Sequence, residues 1–156
     1  VEDKPFHYQN RVHDEWVDYN GHMNDAAYAK AFSQAVDAFI VDIGLDEETR
    51  SSWGYTIFTL ETHICYLKEA HLGQELTLDV QLLDDDAKRL HVFFTMKNAE
   101  GDLLATSEQM LMGINSEQGR AAPFPDPVAA AIDRLREAQQ QLSIPKQAGR
   151  RIGIKR

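Results

Sequence analysis

At 156 residues and 43% hydrophobic content, the chain has the size and apolar content of one ordinary globular domain. A formal net charge of -9 excludes duplex nucleic acid as the main partner, because such binding rests on Lys and Arg neutralising phosphates. The single cysteine, Cys65, excludes an intrachain disulfide and fits a reducing setting. No stretch reaches the roughly 20 apolar residues of a membrane helix, and no basic segment followed by an apolar one opens the chain. A cytoplasmic protein without membrane contact is expected.

Phe6 to Val12 is short and aromatic, suiting a first strand. From Ala26 to Ile43, the residues Tyr28, Phe32, Val36, Phe39, Ile40 and Ile43 recur at three- and four-residue steps, which predicts a helix with one apolar stripe. Asn24 or Asp25 would cap its start and Gly44 would end it. A polar loop follows. Tyr55 to Tyr66, Glu75 to Leu83, Arg89 to Asn98 and Leu103 to Ile114 are rich in Thr, Val, Ile, Phe and Leu and read as strands. DDDAK, from Asp84 to Lys88, and AEGD, from Ala99 to Asp102, are the reversals between them.

Pro123, Pro125 and Pro127 break the pattern before a helix from Val128 to Leu142. Residues 1–142 form the expected single domain, and 143–156 the tail. That tail holds Lys146, Arg150, Arg151, Lys155 and Arg156 and no acid. It reads as a solvated terminus or as a phosphate contact for an anionic ligand.

One helix followed by four strands with short links predicts an α+β fold: an antiparallel sheet with the long helix on its buried face. Parallel nucleotide-binding folds do not have this order, and no G-x-G-x-x-G or Walker loop is present. The six histidines form no H-x-x-x-H pair and no Cys cluster, so neither a metal nor a cofactor is expected.

The most unusual stretch is VDYNGHMNDAAY, from Val17 to Tyr28, which crowds Asp18, Asn20, His22 and Asn24 around Gly21. From Asp18 to Tyr28 it resembles the D-x-x-G-H-x-N-x-x-x-Y signature of hotdog-fold acyl-coenzyme A thioesterases related to 4-hydroxybenzoyl-coenzyme A thioesterase. YLKEAHLGQELTL, from Tyr66 to Leu78, resembles the Y-L-R-P-A-x-x-G-D-E-L strand pair of the same family. AEGDLLAT extends the likeness, which covers roughly residues 6 to 116. The resemblance implies a five-stranded sheet wrapped around the central helix, a homodimer or dimer of dimers, and an acyl-coenzyme A substrate at the subunit boundary.

It also implies roles. Asp18 takes the family's catalytic acid position, as nucleophile or general base, and Gly21 lets the backbone approach the thioester. The amides of Asn24 and Asp25, at the helix start, would stabilise the tetrahedral oxyanion. Asp18, Asn20 and His22 also resemble the D-x-N-x-H set of plant acyl carrier protein thioesterases. Asn20 would then orient a water and His22 hold or shuttle its proton, or His22 would simply brace the turn as a buried hydrogen-bonding residue. Tyr28 reads as core. Ser33 stands where the family usually carries a helix glutamate, which turns attention to the Asp18 loop. Glu69 replaces the customary proline, leaving Lys68 to contact coenzyme A phosphates.

WVDYNGHMN, TLETHI, FSQAVDAFIVDIGLD and APFPDP look most like the betainyl-coenzyme A thioesterase subgroup, which serves carnitine breakdown. A trimethylammonium group is held by aromatic faces and a carboxylate. Trp16, Tyr19, Trp53, Tyr55 and Phe58, followed by Glu61, are candidates, although each aromatic could equally be core or interface. Thr59, Glu61 and His63 would share one strand face, and Glu61 and His63 could meet the acyl head. Another short or aromatic acyl-coenzyme A is the second expectation. A noncatalytic acyl-coenzyme A-binding module is the third.

Overall fold

The computed structural model describes residues 5–156, so the first four residues of the expected domain lie outside it. In chain order the elements are β1 (His7–Arg11), a 3-10 turn (Asp14–Trp16), α1 (Asp25–Asp42), α2 (Glu47–Trp53), β2 (Tyr55–Tyr66), β3 (Glu75–Asp85), β4 (Arg89–Lys97), β5 (Leu103–Asn115), β6 (Arg120–Ala121) and α3 (Asp126–Gln139). The main strands run β1-β3-β4-β5-β2 across one sheet, every pair antiparallel. Two-residue β6 pairs with the end of β5 and adds a sixth strand to the five expected.

Alternation in β3, β4 and β5 builds the inner face from Leu76, Leu78, Leu90, Val92, Phe94, Met96, Ala105 and Leu111, all fully buried. Against it lies the apolar stripe of α1: Ala27, Tyr28, Ala31, Phe32, Ala35, Val36, Phe39 and Ile40. Ala31 and Ala35 have no side chain beyond Cβ, so the helix axis approaches the sheet closely there. Phe39 meets Phe94 edge-on at 6.2 Å between ring centres.

The polar loop after α1 is in fact a short helix. Asp46 caps α2 by accepting a hydrogen bond from Thr49 N, and Gly54 closes it at φ 58. None of its residues is buried. An apolar period therefore could not have revealed it.

Among the described residues β1 pairs β3 from Glu75 to Asp79, and no strand pairing is seen along that edge of β3 beyond that point. Gln139 of α3 bonds there instead, donating to Val80 O at 2.9 Å and accepting from Leu82 N at 2.8 Å. Val128 and Ile132 bury the face of α3 that meets the core. The tail then crosses the sheet face opposite α1. Gln81 Nε2 donates to Ser143 O at 3.0 Å, and Gly149 N donates to Glu108 Oε1 at 2.7 Å. Among the described residues no helix is long and apolar enough to cross a membrane.

Candidate active site

Residues 16 to 24 fold into a miniature hairpin in front of α1. Val17 bridges Met23, Asp18 N donates to His22 O at 2.9 Å, and Gly21 N donates to Asp18 O at 2.9 Å. Gly21 closes the turn in the left-handed region at φ 75, a conformation that costs any other residue backbone strain. The Asp18 carboxylate braces the turn from inside: Oδ1 accepts from Asn20 N at 2.9 Å and from His22 N at 3.2 Å. Its second oxygen has no hydrogen-bond partner among the described residues. Asp18 and Asn20 are exposed, and Tyr19 stands at the tip with 96% of its surface in solvent.

The hairpin is fixed on both sides. Met23 N donates to Ala70 O and Leu72 N to Gly21 O, so residues 21 to 23 run antiparallel to residues 70 to 72. Across that pairing His22 faces His71, with ring centres 4.7 Å apart, and His22 Nδ1 lies 3.5 Å from Glu69 Oε2.

Asn24 is the junction with α1. Its Oδ1 accepts from Ala27 N at 2.9 Å, and its Nδ2 donates to Trp16 O at 2.9 Å. Its backbone N–H also goes to Trp16 O, at 2.8 Å. This corrects the expectation that the Asn24 amide is an oxyanion donor, because that N–H is already spent on the hairpin. The Asp25 amide, one position on, has no partner among the described residues and keeps the positive end of the helix dipole.

Tyr28 and Tyr66 complete the helix start. Tyr28 Oη donates to Lys68 O at 3.2 Å and accepts from Ala70 N at 3.1 Å, and burial raises its phenol above the usual value. Tyr66, half exposed, stacks edge-on against Tyr28 at 5.2 Å and donates to Asp25 O at 3.3 Å. Burial, and then the Asp25 charge, push its phenol up as well. In the sequence Tyr66 stands out only as the end of a strand and the start of a motif. Nothing local in the sequence says that the end of β2 returns to the first residue of α1.

The remaining expected binding residues scatter. Trp16 is 4% exposed, packed edge-on against His13, and Tyr55 is 5% exposed with its hydroxyl donating to Ala122 O at 2.9 Å. Both are core residues, which corrects their assignment to the acyl head. Burial holds the Tyr55 phenol up at about 12. Trp53 and Phe58 are exposed around the start of β2. Glu61 and His63 line a cavity of about 370 Å³ with His91, Glu108 and Ile152 of the tail, on the sheet face away from α1. They do not join Asp18. Lys68 is exposed and bonded to Asp102 Oδ2 at 2.7 Å, a pairing that holds the Asp102 carboxyl below its ordinary value. A larger cavity of about 580 Å³ under α3, lined by Phe6, Phe39, Val80 and Leu135, contains none of the expected residues.

The sequence matches the Thioesterase-like superfamily over residues 12–132. It is 43% identical to a betainyl-CoA thioesterase of Pseudomonas aeruginosa over 94% of this chain and 93% of that one. It is also 40% identical to an L-carnitine dehydrogenase/betainyl-CoA thioesterase of Rhizobium meliloti, matching 94% of this chain but 29% of that longer protein. Among solved structures, a Staphylococcus aureus protein determined in complex with CoA superposes with a TM-score of 0.93 at 37% identity, covering 99% of this chain and 98% of that one. A putative thioesterase from Pseudomonas putida superposes at 0.84, with 36% identity over 99% of this chain and all of that one. With its helix-wrapping antiparallel sheet, the chain belongs to the hotdog thioesterases of the Thioesterase-like superfamily.

Proposed function

We propose that this chain hydrolyses betainyl-coenzyme A to glycine betaine and coenzyme A. The observation that carries the chemistry is the pairing of roles in one short segment: among the described residues, one Asp18 carboxylate oxygen and the helix-start N–H of Asp25 have no hydrogen-bond partner. Asp18 takes a proton from water, and the water oxygen attacks the thioester carbonyl carbon. The Asp25 amide receives the developing oxyanion, an interaction of a kind worth about 3 kcal/mol. Collapse breaks the C–S bond, releases coenzyme A thiolate, and returns the proton to sulfur. General-base assistance of this kind contributes roughly 10² to 10⁴-fold. Asn20 and His22 shape the turn through their backbone N–H groups, and the His22 ring stands beside it to hold the water.

The acyl identity rests on the relatives, two of which carry the betainyl-CoA thioesterase name. The relative joined to L-carnitine dehydrogenase supports a place in carnitine breakdown. Tyr66 offers the aromatic face for the trimethylammonium group, taking over from Trp16 and Tyr55, which are buried. Lys68 supplies the positive charge for a coenzyme A phosphate in competition with Asp102. β2 is an edge strand carrying exposed Phe58, Leu60 and Tyr66 followed by exposed Leu67, which supports pairing with a second copy along that edge. A coenzyme A substrate also fits a cytoplasmic enzyme.

The test compares thiol release from betainyl-coenzyme A and from 3,3-dimethylbutyryl-coenzyme A, which has nearly the same shape without the charge. Recognition of the cation requires a higher kcat/KM for betainyl-coenzyme A, by about tenfold or more for an interaction of roughly 2 kcal/mol. Equal values would overturn it.

A further inference from the structure

The histidines differ in how far they are already engaged. His7 pairs with Asp79, and His91 lies 2.6 Å from Glu108, whose other oxygen accepts from Gly149 N. His22 is different: its nearest anionic partner, Glu69, is 3.5 Å away, and His71 faces it across the backbone pairing of residues 21–23 with 70–72. Donor atoms of His22, Glu69 and His71 all lie within 4.8 Å of one another. The arrangement comes from the backbone. Glu69 and His71 are exposed on either side of buried Ala70, while the His22–His71 bridge sets the third donor opposite.

We propose that His22, Glu69 and His71 form a binding site for a divalent transition metal of the zinc class, and that a bound ion inhibits hydrolysis. Two imidazoles and one carboxylate suit Zn²⁺, Ni²⁺ or Cu²⁺, whereas Mg²⁺ and Ca²⁺ need a fuller set of oxygens. Zinc–ligand bonds of about 2.0–2.1 Å in a tetrahedron place donors about 3.3 Å apart, so the three side chains must close slightly. Glu69 and His71 are exposed and have room to rotate, while the backbone pairing keeps their origins in register. Water completes the fourth position. The bound ion would tie the Asp18 turn to residues 69–71 and remove the His22 ring from the water it holds. The inhibition, though not the site itself, rests on the catalytic reading of that turn.

The experiment titrates ZnCl₂ into the chelator-treated full chain by calorimetry and, separately, follows thiol release across the same zinc range. The expected result is one ion per chain, with affinity weakened about tenfold or more in Glu69→Gln and in His71→Ala. Both variants keep the zinc-free hydrolysis rate and lose most of the zinc sensitivity. Absence of saturable binding, or binding unchanged in both variants, would overturn the site. Saturable binding that both variants weaken, with hydrolysis unaffected by zinc, would support the site and count against the catalytic reading of the turn.

Discussion

Replacing Asn24 by alanine removes two hydrogen bonds made by one side chain, the cap to Ala27 N and the tie from Nδ2 to Trp16 O. Loss of an N-cap costs about 1 kcal/mol, with a range of roughly 0.5–2. The second bond is worth about 1 kcal/mol, toward the low end here because Trp16 O keeps the Asn24 backbone N–H as a donor. The expected loss is therefore about 2 kcal/mol, read as a lower urea midpoint with unchanged m-value. Asn24→Asp restores the cap and adds a favourable charge at the helix start, yet cannot donate to Trp16 O, so it should recover about half of that loss. A loss under about 0.5 kcal/mol in Asn24→Ala would refute the claim that this residue joins hairpin to helix. Equal stability of the two variants would refute the division between cap and tie.

Tyr55 should remain protonated up to about 12 in the folded protein, from an ordinary value near 10. A raised folded value means its contribution is whole below about pH 10 and is lost as pH climbs through 12, a fall of about 3 kcal/mol. Unfolding measured across that window should show this fall, and Tyr55→Phe should flatten it; an equally steep fall in the variant would remove Tyr55 as its source. Gly113→Ala would set a Cβ 1.7 Å from the Tyr55 hydroxyl and 2.8 Å from Ala122 O, so the ring must leave and its bond to Ala122 break. Overpacking plus the lost bond come to about 3 kcal/mol, or roughly 6 to 12 °C in melting temperature, and an unchanged melt would contradict this packing. Tyr66→Ala should lower kcat/KM about tenfold for betainyl-coenzyme A and leave the neutral analogue within about twofold, whereas Tyr66→Phe keeps the preference. An equal loss for both substrates in Tyr66→Ala would show that the ring packs without sensing charge.

The sheet was legible because its signals are local. The boundaries of β2 at Tyr55 and Tyr66 follow from a β-rich run between turns, and α1 starts one residue before its apolar period because Asn24 caps it. The Asp18 turn was equally legible, since its hydrogen bonds all close within five residues. What the chain hid was long-range. The Asn24 N–H is spent on Trp16 O only because the hairpin folds back, and Tyr55 becomes core only once Ala122, next to β6, meets its hydroxyl. Tyr66, Glu69 and His71 approach the turn through pairing across more than forty positions, as the Tyr66 bond to Asp25 O shows. α2 was hidden for another reason: with no side chain fully buried, only its caps mark it.

The most direct test of the catalytic account is thiol release from betainyl-coenzyme A by Asp18→Asn. Asparagine keeps an oxygen to accept from Asn20 N and His22 N, so the turn stays braced, while the unengaged carboxylate oxygen becomes an amide that takes no proton. In this variant kcat should fall about 10² to 10⁴-fold, with stability changed by less than about 1 kcal/mol. Hydrolysis at the parent rate by a folded Asp18→Asn chain would contradict it.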